Sequence, residues 1–258
     1  MKVDRLLAEK VGEITRQGGA IVMDYWGKSL ILNQKKDAGF ATQADIKSEA
    51  FIIEQLKQLN AGIPFWAEES GKSSDNSDWY WVIDPLDGTT NFAHHIPYFC
   101  VSVALAYKDE PQIGAIYNPL MDELFVAYKG GGAHLNGKKI QVSSCALQES
   151  IIATSLPYVS SDHFVNIFKG IQQVRSHVSA LRMMGAVAMD LAYSANGHFN
   201  GVFFSNLKWW DIAAGILILQ EAGALVTDFK GQPLNNKFIN FVAASPTLHH
   251  DLMSLLKD

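Results

Sequence analysis

The run FCVSVALAY, residues 99–107, constrains the architecture more than any other stretch of this chain. It places Phe99, Val101, Val103, Leu105 and Tyr107 on one side and small residues on the other. Side chains alternate across a strand with period two, so the run reads as a strand packed on both faces. Such a strand needs a layer above and a layer below. Residues 3 to about 26 supply one candidate, with Val3, Leu7, Val11, Ile14 and Ile21 at helical spacing. A polar loop, NQKKDAGFATQAD, leads to a second helix with Ile46, Ala50, Ile53 and Leu56 as its expected apolar face. From Trp79 onward the period is two, continued in PQIGAIYNP and ELFVAYKG, and Asn136-Gly137 is a common hairpin dipeptide.

The second half alternates strand-like segments (SIIATSLP, GVFF, ALVTDF, NFVAAS) with helices expected at about 182–195 and 212–222. Asn196-Gly197 and Gly223 are their stop signals. Ser245-Pro246 opens a terminal helix with Leu248, Leu252 and Leu255 inward. The expected class is α+β, in layers, with two halves around a shared cleft.

Length and charge narrow the function. The 258 residues suffice for one large domain or two small ones sharing an interface, and 48 % hydrophobic residues support a substantial core. A net charge of -5 argues against a nucleic-acid footprint. No apolar run approaches a membrane span, and MKVDRLLAEK lacks the apolar region of a signal peptide. Cys100 and Cys145 read as reduced residues of a cytoplasmic protein.

The chemistry lies in acidic residues that follow apolar runs. Glu68 and Glu69 follow IPFWA, Asp84 and Asp87 follow WYWVI, and Asp211 follows Trp209-Trp210. Buried carboxylates are costly unless paired or metal-bound. Glu68, Asp84, Asp87 and Asp211 together would make a hard oxygen site suited to Mg²⁺. Pro85 restricts Asp84 to an extended conformation, so that Asp84 and Asp87 can share one side of a tight turn with the Leu86 carbonyl free as a further ligand. Gly88 lets backbone approach a phosphate, and the Gly88 and Thr89 amides could form an anion nest. Taken singly, each feature has a plainer reading: Asp-Gly a surface turn, Asp211 a helix cap, Glu68-Glu69 a solvated loop. An EF-hand loop fails on spacing, since positions 3, 5 and 12 from Asp84 hold Leu86, Gly88 and His95. A haloacid-dehalogenase-type phosphatase has its aspartates two apart, where these are three apart.

AEES (67–70), DPLDGTTNF (84–92) and WDIAAG (210–215) resemble the three signature motifs of the inositol monophosphatase family, and the similarity runs over nearly the whole chain. The resemblance implies a layered αβαβα sandwich of the sugar-phosphatase type. It implies a single domain over 1–258, its two pseudo-subdomains (about 1–145 and 146–258) sharing the active-site cleft. It implies a lithium-sensitive homodimer, with a small phosphorylated metabolite as partner. The implied activity is Mg²⁺-dependent hydrolysis of phosphate monoesters of small polyols or sugars by metal-activated water, inositol-1-monophosphatase-like. Glu68, Asp84 and the Leu86 carbonyl would hold one Mg²⁺, and Asp84, Asp87 and Asp211 another. Thr89, supported by Asp45, would orient the attacking water. Leu86, Asp87, Gly88, Thr89, Arg182 and Asp211 would contact substrate. Within the same fold the alternatives are histidinol phosphate, fructose bisphosphate or a nucleotide bisphosphate. A catalytically weak binding or regulatory protein is the rival of a different class.

Two positions depart from the family pattern. Phe204 stands where many members carry a glutamate that bonds sugar hydroxyls, and Val187 replaces a small residue. Both are expected to face the substrate and to make inositol 1-phosphate a substrate but not the preferred one.

Overall fold

A computed structural model describes residues 2–28, 33–34, 40–74, 77–156, 162–234 and 240–256. Helix α1 (Arg5–Met23) starts at Asp4, whose carboxylate accepts the Leu7 N–H at 3.1 Å. A two-residue ribbon, β1 (Asn33–Gln34) with β2 (Phe40–Ala41), leads to α2 (Gln43–Leu59). Residues 35–39 of the expected polar loop lie outside the described residues. The chain continues through β3 (Phe65–Ala67), β4 (Gly71–Lys72), β5 (Trp79–Asp87), the short α3 (Thr89–Ala93) and β6 (Cys100–Tyr107). Then come β7 (Glu110–Asn118), β8 (Glu123–Tyr128), β9 (Gly132–Leu135) and β10 (Lys138–Lys139). These form one eight-stranded sheet, ordered β10-β9-β8-β7-β6-β5-β3-β4. Among the described residues its one parallel pair is β3 with β5. Asn136 and Gly137 both take positive φ, as a two-residue hairpin turn demands.

The second half runs β11 (Ile151–Ala153), α4 (Asp162–Arg175), β12 (Ala180–Arg182), α5 (Val187–Ala195) and β13 (Gly201–Phe204). It ends with α6 (Trp209–Glu221), β14 (Leu225–Thr227), β15 (Phe241–Ala244) and α7 (Pro246–Leu256). Its five-stranded sheet is ordered β12-β11-β13-β15-β14.

Three apolar clusters define the layers. Phe99, Val101, Val103 and Leu105 pack with Val11, Val22, Ile52 and Leu56 of α1 and α2. The opposite face of β6, with Cys100, Ala104 and Ala106, packs on α5 and α6, which the second sheet covers in turn through Val202, Phe204 and Phe241. Phe203, Val242 and Ile152 then meet Val174 of α4 and Leu248 and Leu252 of α7. The result is the layered αβαβα sandwich, with β6 buried on both faces as its alternation predicts. Close approach of α6 to the first sheet depends on Gly114, where an added Cβ would stand 2.6 Å from the Ala214 carbonyl oxygen.

Three expectations need correction. The buried face of α2 is Ala44, Asp45, Ser48, Glu49, Ile52 and Leu56, whereas Ile46 is exposed. Polar residues win those positions because each finds a partner beneath the site, as described below. Helix α5 starts at Val187 rather than about 182, because residues 180–182 extend the second sheet as β12 and Gly185 (φ 85°) breaks the chain direction. Helix α4 forms where no helix is expected from the sequence.

Candidate active site

Asp84 and Asp87 stand three residues apart, and on a regular strand they would face opposite sides. The register shows why they do not. Asp84 lies opposite Ser102 and Asp87 opposite Cys100, so three steps on β5 match two on β6. This β-bulge brings both carboxylates onto the face of Val82, toward α5 and α6. Pro85, which has no N–H, falls inside the bulge where the ladder is interrupted. The expected tight turn is thus replaced by a bulged strand, and the turn comes one residue later at Gly88 (φ 89°). A Cβ at Gly88 would crowd the Tyr98 carbonyl and Ala186, each at 3.0 Å.

The other carboxylates arrive from different elements. Glu68 follows β3, and its N–H donates to the Ile83 carbonyl at 3.0 Å, which sets it beside Asp84 at the C-terminal ends of the parallel pair. Asp211 is the third residue of α6, and its Oδ2 accepts the Lys208 N–H at 2.9 Å. Asp87 Oδ2 accepts the Ala188 N–H, in the first turn of α5, at 2.6 Å. The site therefore sits where two strand ends meet two helix starts.

Desolvation and mutual repulsion oppose ionisation of these groups. Burial, then Glu68, Asp87 and Asp211, push the Asp84 carboxyl well above its ordinary range. Asp87 is raised to about 7, by burial first and against the stabilising Ala188 N–H, with Asp190 and Glu68 adding to the rise. Asp211 is raised by burial, then by Asp87 and Glu68. Among the described residues, none of these three aspartates forms an ion pair with Lys or Arg. Nor, among the described residues, are three His, Cys, Asp or Glu side chains closed to metal-ligand spacing. Glu68 lies within hydrogen-bond reach of Asp84, and the four carboxylates act on one another electrostatically. Their donor chemistry, all oxygen and short of positive charge, fits a hard divalent cation.

Beside them lies a hydroxyl relay. Thr89 Oγ1 stands 3.1 Å from Asp45 Oδ1 and 2.9 Å from the Leu86 carbonyl, with one proton to donate between them. Asp45 Oδ2 accepts from both the N–H (2.8 Å) and the hydroxyl (2.6 Å) of Thr42, which leaves Oδ1 to Thr89. Leu86 N–H closes back on Asp84 Oδ1 at 3.0 Å.

Of the residues expected at the site, Glu68, Asp84, Leu86, Asp87, Gly88, Thr89, Asp45 and Asp211 come together. Arg182 is exposed at the end of β12, its guanidinium donating to the Leu181 carbonyl. Its segment reaches the site through Asn91, whose side-chain amide donates to the Met184 carbonyl at 2.7 Å. Phe204, expected to face the substrate, is 0 % exposed and packs against Phe241, so it offers no surface to a substrate. Val187 opens α5, half-buried against the central cluster. Sequence reasoning missed Glu49 and Asp190. Asp190 accepts the Tyr98 hydroxyl at 2.6 Å behind Asp87 and carried no motif signal. The pattern Thr42-x-x-Asp45 is a capping box, and it could have turned α2 to its correct face.

A five-layer αβαβα stack with acidic residues at the junction of strand ends and helix starts defines a protein of the sugar-phosphatase type. The chain belongs to the inositol monophosphatase family, whose sequence profile matches residues 3–258. It is 35 % identical over 261 residues to an inositol-1-monophosphatase of Mesorhizobium japonicum, covering 100 % of this chain and 92 % of that protein. It is 38 % identical over 215 residues to the Nus factor SuhB of Vibrio cholerae, covering 83 % of this chain and 80 % of that one. The crystal structure of the extragenic suppressor protein suhB from Bartonella henselae superposes with a TM-score of 0.93 at 34 % identity, over 98 % of this chain and 99 % of that one. Among the described residues, no helix is long and apolar enough to cross a membrane.

Proposed function

We propose that this chain is a Mg²⁺-dependent phosphatase of small polyol or sugar phosphates, of the inositol-1-monophosphatase type. The observation that carries the reading is the bulge in β5, which turns Asp84 and Asp87 to one face beside Glu68 and Asp211. Glu68, Asp84 and the Leu86 carbonyl would hold one cation, and Asp84, Asp87 and Asp211 a second. When bound, Mg²⁺ supplies positive charge that polarises a phosphate and acidifies water. The protein's own groups do the rest. Asp45, pinned by Thr42, keeps an oxygen on Thr89, so the threonine hydroxyl can donate to Asp45 and accept from an attacking water. The bonds from Ala188 and Lys208 hold Asp87 and Asp211 in place without a reorganisation cost during turnover. Gly88 leaves its surroundings clear of a side chain, and Arg182 is exposed and able to meet an anionic substrate. Kinship with the family extends the reading to a cytoplasmic homodimer inhibited by lithium.

The test is phosphate release by the purified chain from inositol 1-phosphate, histidinol phosphate, fructose 1,6-bisphosphate and a nucleotide bisphosphate, with Mg²⁺ and with chelator. Mg²⁺-dependent release from at least one is expected. A second reading, a binding or regulatory protein of this fold, is favoured by relatives named Nus factor SuhB, to which the chain is as similar as to those named inositol-1-monophosphatase. No release from any substrate with Mg²⁺ present would select it.

A further inference from the structure

The proposed catalytic reading gives no role to Glu49. Glu49 is 3 % exposed on the inner face of α2. Its Oε2 accepts the Glu69 N–H and its Oε1 the Ser70 N–H, both at 2.9 Å. These are the two amides immediately after Glu68, in the turn between β3 and β4. Glu68 itself donates its N–H to Ile83 on the other side. The backbone that carries Glu68 is therefore held from both directions, by β5 and by one carboxylate of α2.

The same helix face reaches the other two segments of the site. Asp45 bonds Thr89, and the Ser48 hydroxyl shares its one proton between the Pro85 carbonyl within the bulge at 3.3 Å and the Gly18 carbonyl of α1 at 3.2 Å. Positions 45, 48 and 49 share a helix face because they are three and four residues apart. One turn of α2 thus fixes the spacing of the Glu68, Pro85 and Thr89 segments. A charge-assisted carboxylate with both oxygens engaged is a stiff connection.

We propose that Glu49 is a positioning residue for Glu68, setting where that carboxylate stands against Asp84 and hence how tightly the site holds its cation. The inference rests on the Mg²⁺-phosphatase reading. A plain structural alternative exists, in which Glu49 only satisfies two turn amides.

Glu49→Gln separates the two, because it keeps the shape but replaces one acceptor oxygen with a donor that cannot face an amide N–H. Mg²⁺ binding is measured by isothermal titration calorimetry on the purified full chain, beside the Mg²⁺ dependence of phosphate release and the unfolding temperature in chelator. Outer-shell partners of this kind are worth roughly 10- to 100-fold in metal affinity. The expected result is a loss of Mg²⁺ affinity in that range, an equal rise in the Mg²⁺ needed for half-maximal rate, and a much smaller change in kcat at saturating Mg²⁺. Glu49→Asp, which keeps both acceptors at shorter reach, should fall between Glu49→Gln and the unaltered chain. It also serves as the reading if Glu49→Gln does not fold. The exposed Lys47→Ala on the same helix should leave Mg²⁺ affinity unchanged. Lower kcat and unfolding temperature with unaltered Mg²⁺ affinity in the Glu49 variants would overturn the role of Glu49 alone. No Mg²⁺ binding and no phosphate release by the unaltered chain would overturn the catalytic reading and this inference together.

Discussion

The amide of Ala188 donates to Oδ2 of Asp87 at 2.6 Å, joining residues 101 apart in the chain. One belongs to the bulged end of β5 in the first sheet, the other to the helix that packs beneath the second. The bond ties a carboxylate to a helix N-terminus, where backbone N–H groups lack intrahelical partners and the helix dipole favours negative charge. The carboxyl it holds also acts electrostatically on Asp84 and Asp211. A contact between the two halves of the chain therefore sets the geometry of the site.

Replacing Asp87 or Asp211 by Asn should lower turnover by at least ~10²-fold, the scale at which loss of one stabiliser of developing charge is felt. Asn can still offer an oxygen to the Ala188 or Lys208 N–H, so the fold should persist. Removing a repelling charge should leave the metal-free protein at least as stable. Initial rates of phosphate release and thermal melts check both statements; near-wild-type turnover in either variant would remove that aspartate from the mechanism.

Thr89→Ala should cost roughly 10²–10⁴-fold in kcat, the usual range for a positioned proton-transfer group. Thr89→Ser keeps the hydroxyl facing Asp45 and should retain most activity. Mg²⁺ affinity should be unchanged in both. Equal rates for the Ala and Ser variants would mean that the hydroxyl does not act in turnover.

In chelator, stability should fall as pH rises from about 4 toward 8. Burial raises the Asp190 carboxyl to about 8, and Asp87 is raised to about 7. Carboxyls whose folded pKa exceeds the unfolded value hold their proton after the unfolded chain has released it. Their contribution is complete below the ordinary carboxylate range and is lost as pH climbs through the folded values. Asp190→Asn should flatten the upper part of that slope, and Mg²⁺ added at pH 8 should raise the melting temperature. Melting temperatures across this range are the measurement, and a steady rise from pH 5 to 8 without metal would contradict the assignment.

Phe204→Glu should destabilise the protein and leave specificity for inositol phosphate unimproved. The ring is fully buried against Phe241; truncating such a ring costs about 3–5 kcal/mol, and a buried charge costs more. Denaturant unfolding of the variant tests this. A stable Phe204→Glu protein with raised preference for inositol 1-phosphate would restore Phe204 as a substrate contact.

Gly114→Ala should cost about 1–3 kcal/mol. The new methyl would meet the Ala214 backbone of α6 at 2.6 Å, and helix backbone has no rotamer with which to yield. The same melts would show it, and an unchanged melting temperature would mean that α6 shifts on the sheet at no cost.

Local pattern determined much of this protein. The alternation in residues 99–107 dictated a strand covered on both faces, because side-chain direction in a strand depends only on position along it. Helix stops at Gly197 and Gly223 and the Asn136-Gly137 hairpin are legible for the same reason: their backbone angles are a property of the residues themselves. The acidic motifs marked their own positions, since carboxylates rarely follow apolar runs without a purpose. Tertiary structure decided the rest. Whether Asp84 and Asp87 face one way depends on the register against β6, which β5 alone does not contain. The buried face of α2 is polar because Asp45, Ser48 and Glu49 meet partners on Thr89, Pro85 and the amides after Glu68, all distant in the chain. Phe204 lies inside because the second sheet turns it onto Phe241 and the central helices, not toward the cleft. A polar side chain is stable inside, and an apolar one is withdrawn from a site, according to what packs opposite, and that neighbour exists only once the layers have closed.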